Sequence, residues 1–390
     1  MFEIRQVVME DGERLFHLAD KQTGLPVADV TRFMIVEVRP SGASSGTIRN
    51  KLAGIGVGLT LLSDLGIDLE QRIRSGRFLD DEELLFFSNR FVARANGQGR
   101  ISGSVAADRY VTFLDFVAFR AGELRGYAPD DDQKMITTAL ASFKARAGRH
   151  RPRPTGGSES SERLGLDPAV RLRFLEVIQP GHPENPFQKA LQVRNHAILL
   201  LAYTFGFRSG EEFSLKRSDF DDRSTPATIT INRRADDVDE TRREPALVKT
   251  HGRTLPIEGE ALAALEAWLA ERGDRNRYPA ARKHPFIFVS RLGDPLTLRR
   301  GRQLYEQLRA AHPELAGLVQ HQLRHDANDR WTEDDRIHKP DPAVSRQERN
   351  YAMGWSEQSA MPDRYSKKSI RAGAAKRMER IQKEGMGQKK

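Results

Sequence analysis

The stretch that decides the fold is residues 197–215, which read AILLLAYTFGFRSGEEFSL. Residues 197–203 are apolar enough for a buried helix, and Gly206 ends it because glycine readily adopts the left-handed conformation at a helix C-terminus. Arg208 follows at once. Glu211 lies three residues later, within reach of the Arg208 guanidinium if the next residues are helical. An arginine held at a helix start can bind an oxyanion through two parallel hydrogen bonds. An isolated Arg-x-x-Glu is usually a surface ion pair, so the interpretation depends on the rest of the chain.

Composition limits the class of protein. The 390 residues, 38% of them hydrophobic, are enough for two domains with separate cores. The 63 Lys and Arg against 54 Asp and Glu give a net charge of +9, which favours a polyanionic partner such as nucleic acid. The absence of cysteine excludes disulfides, thiolate catalysis and cysteine zinc sites. No apolar run reaches the roughly 18 residues of a membrane span, and the N-terminus does not resemble a signal peptide. We therefore expect a cytoplasmic protein, nucleoid-associated if it binds DNA.

The N-terminal part divides into a leader and a helical domain. Residues 1–40 form a β-rich leader, with strands at 2–8 and 13–18 around a turn at Gly12 and an extended stretch at 33–38. Residues 41–147 form a helical domain, with helices predicted at about 47–65, 80–95, 106–121 and 132–147. The glycines of the first helix lack dinucleotide-binding spacing, so we expect them to allow close helix packing. They are Gly54, Gly56 and Gly58.

Residues 148–165 form a linker, because Pro, Gly and Ser replace the apolar periodicity. Its first half and the residues just before it are cationic. The cations are Lys144, Arg146, Arg149, Arg151 and Arg153, with no acid among them. Two interpretations stay open, a solvated tether or a segment lying along phosphates.

Residues 166–390 form a second domain with a basic tail. Helices are predicted at about 168–177, 187–205, 259–272, 299–311, 320–332, 345–353 and 357–368, and strands at 227–233, 247–249 and 254–257. The predicted fold class is therefore mostly α with a small antiparallel β-sheet (α+β). We also expect the tail after residue 367 to be helical to about residue 383.

Lys249 lies in Val248-Lys249-Thr250-His251-Gly252-Arg253, where two short strands flank a turn. The pattern predicts a β-hairpin with Lys249 at the end of its first strand. From there a lysine could reach a neighbouring groove and act as a general acid. A solvated hairpin charge is the alternative.

His321 and Arg324, in His321-Gln322-Leu323-Arg324-His325, share one face of a predicted helix. A histidine and an arginine that converge on one point suit a phosphoryl centre, where one handles a proton and the other neutralises charge. A metal site is the weaker interpretation because no further ligand has suitable spacing. An ordinary pair on a helix surface is also open.

Trp355 and Tyr365 are the last two candidate functional residues along the chain. Trp355, in Met353-Gly354-Trp355, offers one N–H donor. Tyr365 lies ten residues later in a polar, cationic stretch, where nearby cations would favour its phenolate. An exposed tyrosine alone indicates little about function. Tyr365 becomes a candidate because it follows the other candidate residues in a particular order.

Over about residues 166–370 the chain resembles the tyrosine recombinase (phage integrase) family. The resemblance lies in the order of the candidate residues, which is Arg208, Lys249, His321-x-x-Arg324, Trp355 and Tyr365. The resemblance implies a tyrosine-recombinase catalytic domain preceded by a helical core-binding domain, here residues 41–147. It further implies a site-specific recombinase or integrase of a mobile genetic element, such as a phage or transposon. Departures are Trp355 where the family usually has histidine, a lengthened segment at 329–350 that looks like an inserted loop, and the leader.

The resemblance also implies roles and partners. Tyr365 forms a 3′-phosphotyrosyl link, and Arg208 and Arg324 bind the non-bridging oxygens. Lys249 protonates the leaving oxygen, His321 accepts a proton or binds the phosphate, and Trp355 donates a hydrogen bond. No metal or cofactor is expected. The partners are double-stranded DNA, a homotetramer on synapsed DNA and accessory recombination proteins.

Alternatives remain for the function and for the tail. The chain could be a type IB topoisomerase-like enzyme that relaxes DNA, or a non-catalytic DNA-binding accessory protein. The tail from Lys367 to Lys390 has nine cations against two acids. It could dock on a neighbouring copy, lie on DNA or be a solvated end.

Overall fold

The computed structural model describes residues 2–93, 99–153, 165–282, 284–365, 374–375 and 377–382, without the side chains of Arg364 and Tyr365. The chain divides into two compact units, residues 1–161 and 162–390, and each has its own apolar core. Among the helices described, none has the length and apolar character needed to cross a membrane.

The first unit is a β-hairpin packed on helices. Its elements are β1 (Phe2–Val8), β2 (Arg14–Asp20), α1 (Ala28–Phe33), α2 (Ser45–Asp64), α3 (Leu69–Arg74), α4 (Asp81–Val92), α5 (Gly103–Gly126) and α6 (Asp130–Arg149). The strands are antiparallel, with Val8 opposite Arg14. Leu18 of β2 shares a core with Leu52 of α2, so the leader is packed onto the helical part. The assignment of residues 41–147 to DNA binding stays a prediction.

Glycines let α2 approach α5 closely, as predicted. A Cβ at Gly54 would lie 2.7 Å from the carbonyl oxygen of Arg109, and one at Gly58 would lie 2.1 Å from the Phe113 ring. Larger side chains would push the two helices apart, because backbone and a packed ring have little room to move.

The extended stretch predicted at 33–38 is wrong. Residues Met34–Val38 form a π-helix that continues α1. The β-branched composition favours a strand, but burial of Phe33, Met34 and Val38 against the helices overrides it. The Phe33 ring packs edge-on against Phe116 at 5.8 Å.

The predicted linker begins inside a helix. Helix α6 continues to Arg149, and the His150 ring lies 2.8 Å from a carboxylate oxygen of Asp81. Residues 154–164, which contain most of the Gly/Ser stretch, lie outside the described residues. Whether this segment is a tether or lies along phosphates therefore stays open.

The second unit is built around α8. Its elements are α7 (Pro168–Val177), α8 (Gln192–Phe205), α9 (Ser209–Phe213), β3 (Phe220–Asp221), β4 (Thr228–Ile231), β5 (Arg253–Pro256), α10 (Gly259–Gly273), α11 (Leu298–Ala311), α12 (Gln320–His338), α13 (Pro342–Met353) and α14 (Met361–Tyr365). Residues 197–202 are buried all round, because α10 and α12 both pack on α8. The predicted α+β class, mostly helical with small antiparallel sheets, is confirmed.

The predicted hairpin around Lys249 is wrong. Strand β5 pairs with β4, Ile231 opposite Arg253, and the sheet order is β3-β4-β5. Residues 247–249 form no strand because they cross α9 instead. The carbonyl oxygen of Leu247 would lie 2.1 Å from a Cβ at Gly210. Only glycine leaves space for this crossing.

The approach from Arg324 to Trp355 is not an inserted loop. Helix α12 continues to His338, a short turn follows, and α13 begins at Pro342 with Asp341 as its N-cap. The predicted helix at 357–368 is described only over Met361–Tyr365. In the tail, residues 374–375 and 377–382 are helical, and the remainder lies outside the described residues.

Candidate active site

Gly206 brings two helices together at the start of the site. It caps α8 in the left-handed conformation, with φ of 62°. A Cβ there would lie 2.9 Å from Ala327 and 3.3 Å from the Cα of Arg324, so glycine also lets α12 approach. Arg208 is the N-cap of α9, and its backbone N–H donates to Glu211 Oε2 at 2.8 Å.

Glu211 is the centre of the site. Its carboxylate is fully buried and faces three arginines. The nitrogen–oxygen distances are 3.2 Å to Arg253, 3.7 Å to Arg324 and 3.8 Å to Arg208. The Thr250 hydroxyl also donates to Glu211. One carboxylate therefore orients two of the predicted arginines.

The pKa values of Glu211 and its neighbour Glu212 are shifted in opposite directions. Burial disfavours the charged form of Glu211, but Arg253 and Arg324 outweigh burial and lower its pKa below the usual value. For Glu212, burial raises the pKa well above the usual value, and the hydrogen bond that its carboxyl accepts from Gln320 Nε2 at 2.6 Å offsets only part of this effect.

Arg324 is fully buried and connects two loops. Its Nη1 donates to the carbonyl oxygen of Gly206 at 2.8 Å, and its Nη2 to that of Met353 at 2.7 Å. The guanidinium also lies 5.4 Å from the centre of the Trp355 ring. The structure thus brings Arg208 and Arg324 together around Glu211, with the Trp355 ring next to Arg324.

The segment before Tyr365 is fixed to the same place. Met361, in α14, packs on a small apolar cluster formed by Ala327, Met353 and Trp355. Asp363 accepts a hydrogen bond from Arg346 at 2.9 Å. Tyr365 is the last residue of α14, and its side chain lies outside what the structure describes.

Lys249 and His321 lie at the surface. Lys249 is exposed between buried Val248 and buried Thr250, so its backbone is tied to the Glu211 cluster through Thr250. His321 is exposed in the first turn of α12, and its ring packs edge-on against His325 at 4.7 Å.

Arg253 is the residue that sequence reasoning missed. Its Nη1 and Nη2 donate to the two oxygens of Glu211 at 3.2 and 3.3 Å, and its Nε donates to the carbonyl oxygen of Ala352 at 2.7 Å. A signal was present, because residues of a strand alternate between faces and Arg253 shares the buried face with Leu255. A cation on a buried face requires a buried partner.

The arrangement can bind an oxyanion. Nη1 of Arg208 is buried yet has no hydrogen-bond partner among the described residues. Three guanidiniums face the single Glu211 carboxylate, so the cluster is rich in donors and carries a net positive charge. A cleft of about 850 Å³ borders this cluster, lined by residues that include His251, Tyr351 and Trp355.

The phage integrase family model matches residues 175–335, a range that includes Arg208, Lys249, His321 and Arg324. The match ends before Trp355 and Tyr365, and the roles of all six candidate residues remain predictions. No curated protein shows significant similarity to the chain.

Several solved structures are similar to the chain at low identity. The XerH site-specific recombinase bound to palindromic difH substrate has 18% identity and a TM-score of 0.40, over 76% of this chain and 96% of XerH. The Tn1549 transposon integrase in complex with transposon right end DNA has 18% identity and a TM-score of 0.40, over 78% of this chain and 92% of the integrase chain. The XerA recombinase has 14% identity and a TM-score of 0.38, over 90% of this chain and 98% of XerA. The family match therefore supports the predicted resemblance to the phage integrase family over residues 175–335 of the second unit.

Proposed function

We propose that this protein is a site-specific DNA recombinase that cuts and rejoins DNA through a 3′-phosphotyrosyl intermediate on Tyr365. The observation that carries the proposal is that the Glu211 carboxylate faces both Arg208 and Arg324, and that the Trp355 ring lies next to Arg324. A phosphodiester that gains a fifth oxygen ligand gains negative charge on its non-bridging oxygens, and this cluster offers cations and donors for that charge.

The proposed reaction is a transesterification. The phenolic oxygen of Tyr365 attacks a backbone phosphorus, the new oxygen–phosphorus bond forms, and the bond to the 5′-oxygen breaks. The phenol loses its proton and the leaving 5′-oxygen gains one. Because the covalent link keeps the energy of the phosphodiester, a 5′-hydroxyl from another strand can reverse the step without ATP.

The proposed role of each residue follows from where it lies in the site. Arg208 binds a non-bridging oxygen, since its Nη1 has no hydrogen-bond partner among the described residues. Arg324 is fully buried and held by the carbonyl oxygens of Gly206 and Met353, so its proposed role is to stabilise the negative charge of the phosphate from inside the site. Trp355 donates its indole N–H.

The exposed groups handle protons. Lys249 is the proposed general acid for the leaving oxygen, and His321 the proton acceptor or a further phosphate donor. Their exposure suits groups that complete the site only when DNA lies across it.

The partners follow from the reaction. Exchange of strands between two duplexes requires four cleavages, so we propose four copies on two double-stranded DNA sites. The helical residues 41–147 would hold the duplex, and the net charge of +9 favours binding to phosphates. Action on a mobile genetic element is part of the same proposal. Accessory recombination proteins and a nucleoid location belong to the same proposal.

The test is covalent capture on a nicked suicide substrate, whose short cleaved strand diffuses away. Because the target sequence is unknown, the substrates are a pool of nicked duplexes from both sides of the encoding locus. We expect a protein–DNA adduct with the wild type and none with Tyr365→Phe, which should still bind DNA. Tyr127→Phe is a matched control, because Tyr127 is 88% exposed in the first unit and should leave the adduct unchanged.

Other outcomes would favour the alternatives. An adduct that survives in Tyr365→Phe would remove Tyr365 from the reaction. Relaxation of non-specific plasmid without recombinant product would support a type IB topoisomerase. A wild-type protein that binds DNA and never forms an adduct would support a non-catalytic accessory role.

A further inference from the structure

Arg253 contacts three of the chain segments that form the site. It donates to Glu211 of α9 at 3.2 Å, to the Thr250 hydroxyl at 3.3 Å and to the Ala352 carbonyl oxygen at 2.7 Å. Thr250 adjoins Lys249, and Ala352 precedes the Met353-Gly354-Trp355 loop by one residue. The side chain therefore lies where these three segments meet.

Two further contacts fix the same junction. The backbone N–H of His251 donates to the carbonyl oxygen of Gly354 at 2.9 Å. A Cβ at position 354 would lie 2.5 Å from Arg253 Nη1, and Gly354 has a φ of 65°. The 250–253 segment and the loop before Trp355 are thus packed as closely as their backbones allow.

The geometry requires an arginine. Its side chain is 0% exposed, as is that of Glu211, so neither charge is solvated. A buried ion pair is maintained only with good geometry and further hydrogen bonds, and the planar guanidinium supplies both. A lysine ammonium is a single point charge and could not reach both oxygens of Glu211 and Ala352 together.

We propose that Arg253 is a positioning residue for DNA cleavage, which holds Glu211 in place for Arg208 while fixing the Lys249 and Trp355 segments to it. This rests on the proposed recombinase function. Arg253 itself does not touch the reacting phosphate.

The proposal has a signature in pH dependence. The charged and titratable groups that face Glu211 are Arg208, Arg253, Arg324 and Glu212. Arg253→Gln removes one cation, so burial would raise the pKa of Glu211. Once protonated, Glu211 no longer attracts Arg208. Cleavage by this variant should therefore fall at acidic pH and recover as pH rises.

The experiment measures the rate of adduct formation for three variants at about pH 6 and about pH 8. Arg253→Gln should lose roughly 10-fold or more relative to wild type at the lower pH, with a smaller deficit at the higher pH. The double variant Arg253→Gln/Glu211→Gln lacks the titrating carboxylate. Its loss of rate relative to wild type should therefore be the same at both pH values. Arg272→Gln is the control, because Arg272 is equally buried but donates only to backbone carbonyls, and its deficit should not vary with pH.

An Arg253→Gln deficit that does not change with pH would overturn the proposal, because it would mean a merely structural role. If that variant fails to fold, Arg253→Lys decides the question. It keeps the charge, so we expect slower cleavage with the wild-type pH profile, and a wild-type rate would overturn the proposal. Absence of any adduct from the wild-type protein would instead overturn the recombinase function and this proposal with it.

Discussion

The interior and the surface of the candidate site are built differently. Arg253, Arg324 and Glu211 have fully buried side chains with fixed hydrogen bonds. Lys249 and His321, a few residues away in sequence from buried members, are exposed. The groups proposed to stabilise charge are therefore in place before DNA arrives, which avoids reorganisation during the reaction. For the exposed groups proposed to move protons, we expect the final positions to be set by contact with the substrate.

The largest effect should come from Arg208, at the boundary of the two regions. Arg208→Lys keeps the charge but removes the fork of donors and the fit to Glu211. We expect adduct formation to slow by about 10²–10³-fold, the usual loss for one preorganised donor. The measurement is single-turnover adduct formation on nicked DNA, with DNA affinity as the control. Near-wild-type cleavage would place Arg208 outside the site.

Lys249 tests the surface side of the comparison. Lys249→Met should slow cleavage by about 10²-fold, at the lower end for loss of a positioned proton donor. A substrate with sulfur in place of the bridging 5′-oxygen has a leaving group that needs no proton. It should therefore be cleaved at similar rates by variant and wild type. If the sulfur substrate shows the full deficit, Lys249 is not the general acid.

His321 and His325 are a matched pair on α12. We expect His321→Gln to slow adduct formation by about 10-fold, because glutamine keeps a donor to the phosphate but cannot take up a proton. His325→Gln, which alters the ring packed against His321, should have a smaller effect. Equal losses in the two variants would show that the ring pair acts structurally.

Glu212 gives the smallest effect, on stability alone. Its pKa is raised in the folded protein. Below the ordinary glutamate pKa, Glu212 is protonated in both the folded and the unfolded protein. As pH rises above that value, only the unfolded protein loses the proton. Glu212 therefore lowers the stability of the folded protein as pH rises. Glu212→Gln should therefore raise Tm more at about pH 8 than at about pH 5. Tryptophan fluorescence reports this unit, because Trp268, Trp331 and Trp355 all lie in it. An equal change in Tm at both pH values would contradict a raised pKa of Glu212.

Local signals predicted the helices well. Helix α8 and its end at Gly206 follow from one apolar run and one glycine, and the structure places both as expected. Gly54 and Gly58 of α2 also pack against a helix as predicted, whereas Gly56 faces Leu18 of the hairpin. In each case the sequence itself contains the cause, because apolar residues require burial and a missing Cβ permits a close approach.

Predictions failed where distant contacts decide the local structure. Residues 247–249 have a strand-like pattern, but Leu247 and Thr250 are held on α9 rather than on the sheet. Acidic residues 333–335 look like a loop, but α12 continues through them. Arg253 was missed because its partners, Glu211 and Ala352, lie far away in the sequence. The relative placement of Arg208 and Arg324 follows from the same long-range carboxylate.

The single carboxylate of Glu211 also has a consequence for protein synthesis. Its partners come from residues 208, 250, 253 and 324, and Arg253 extends the connection to residue 352. A nascent chain therefore has no complete phosphate-binding surface until nearly the whole second unit has left the ribosome. Translation products that stop early would contain Arg208 and Lys249 but could not cut DNA, so unfinished copies should be harmless to the DNA around them.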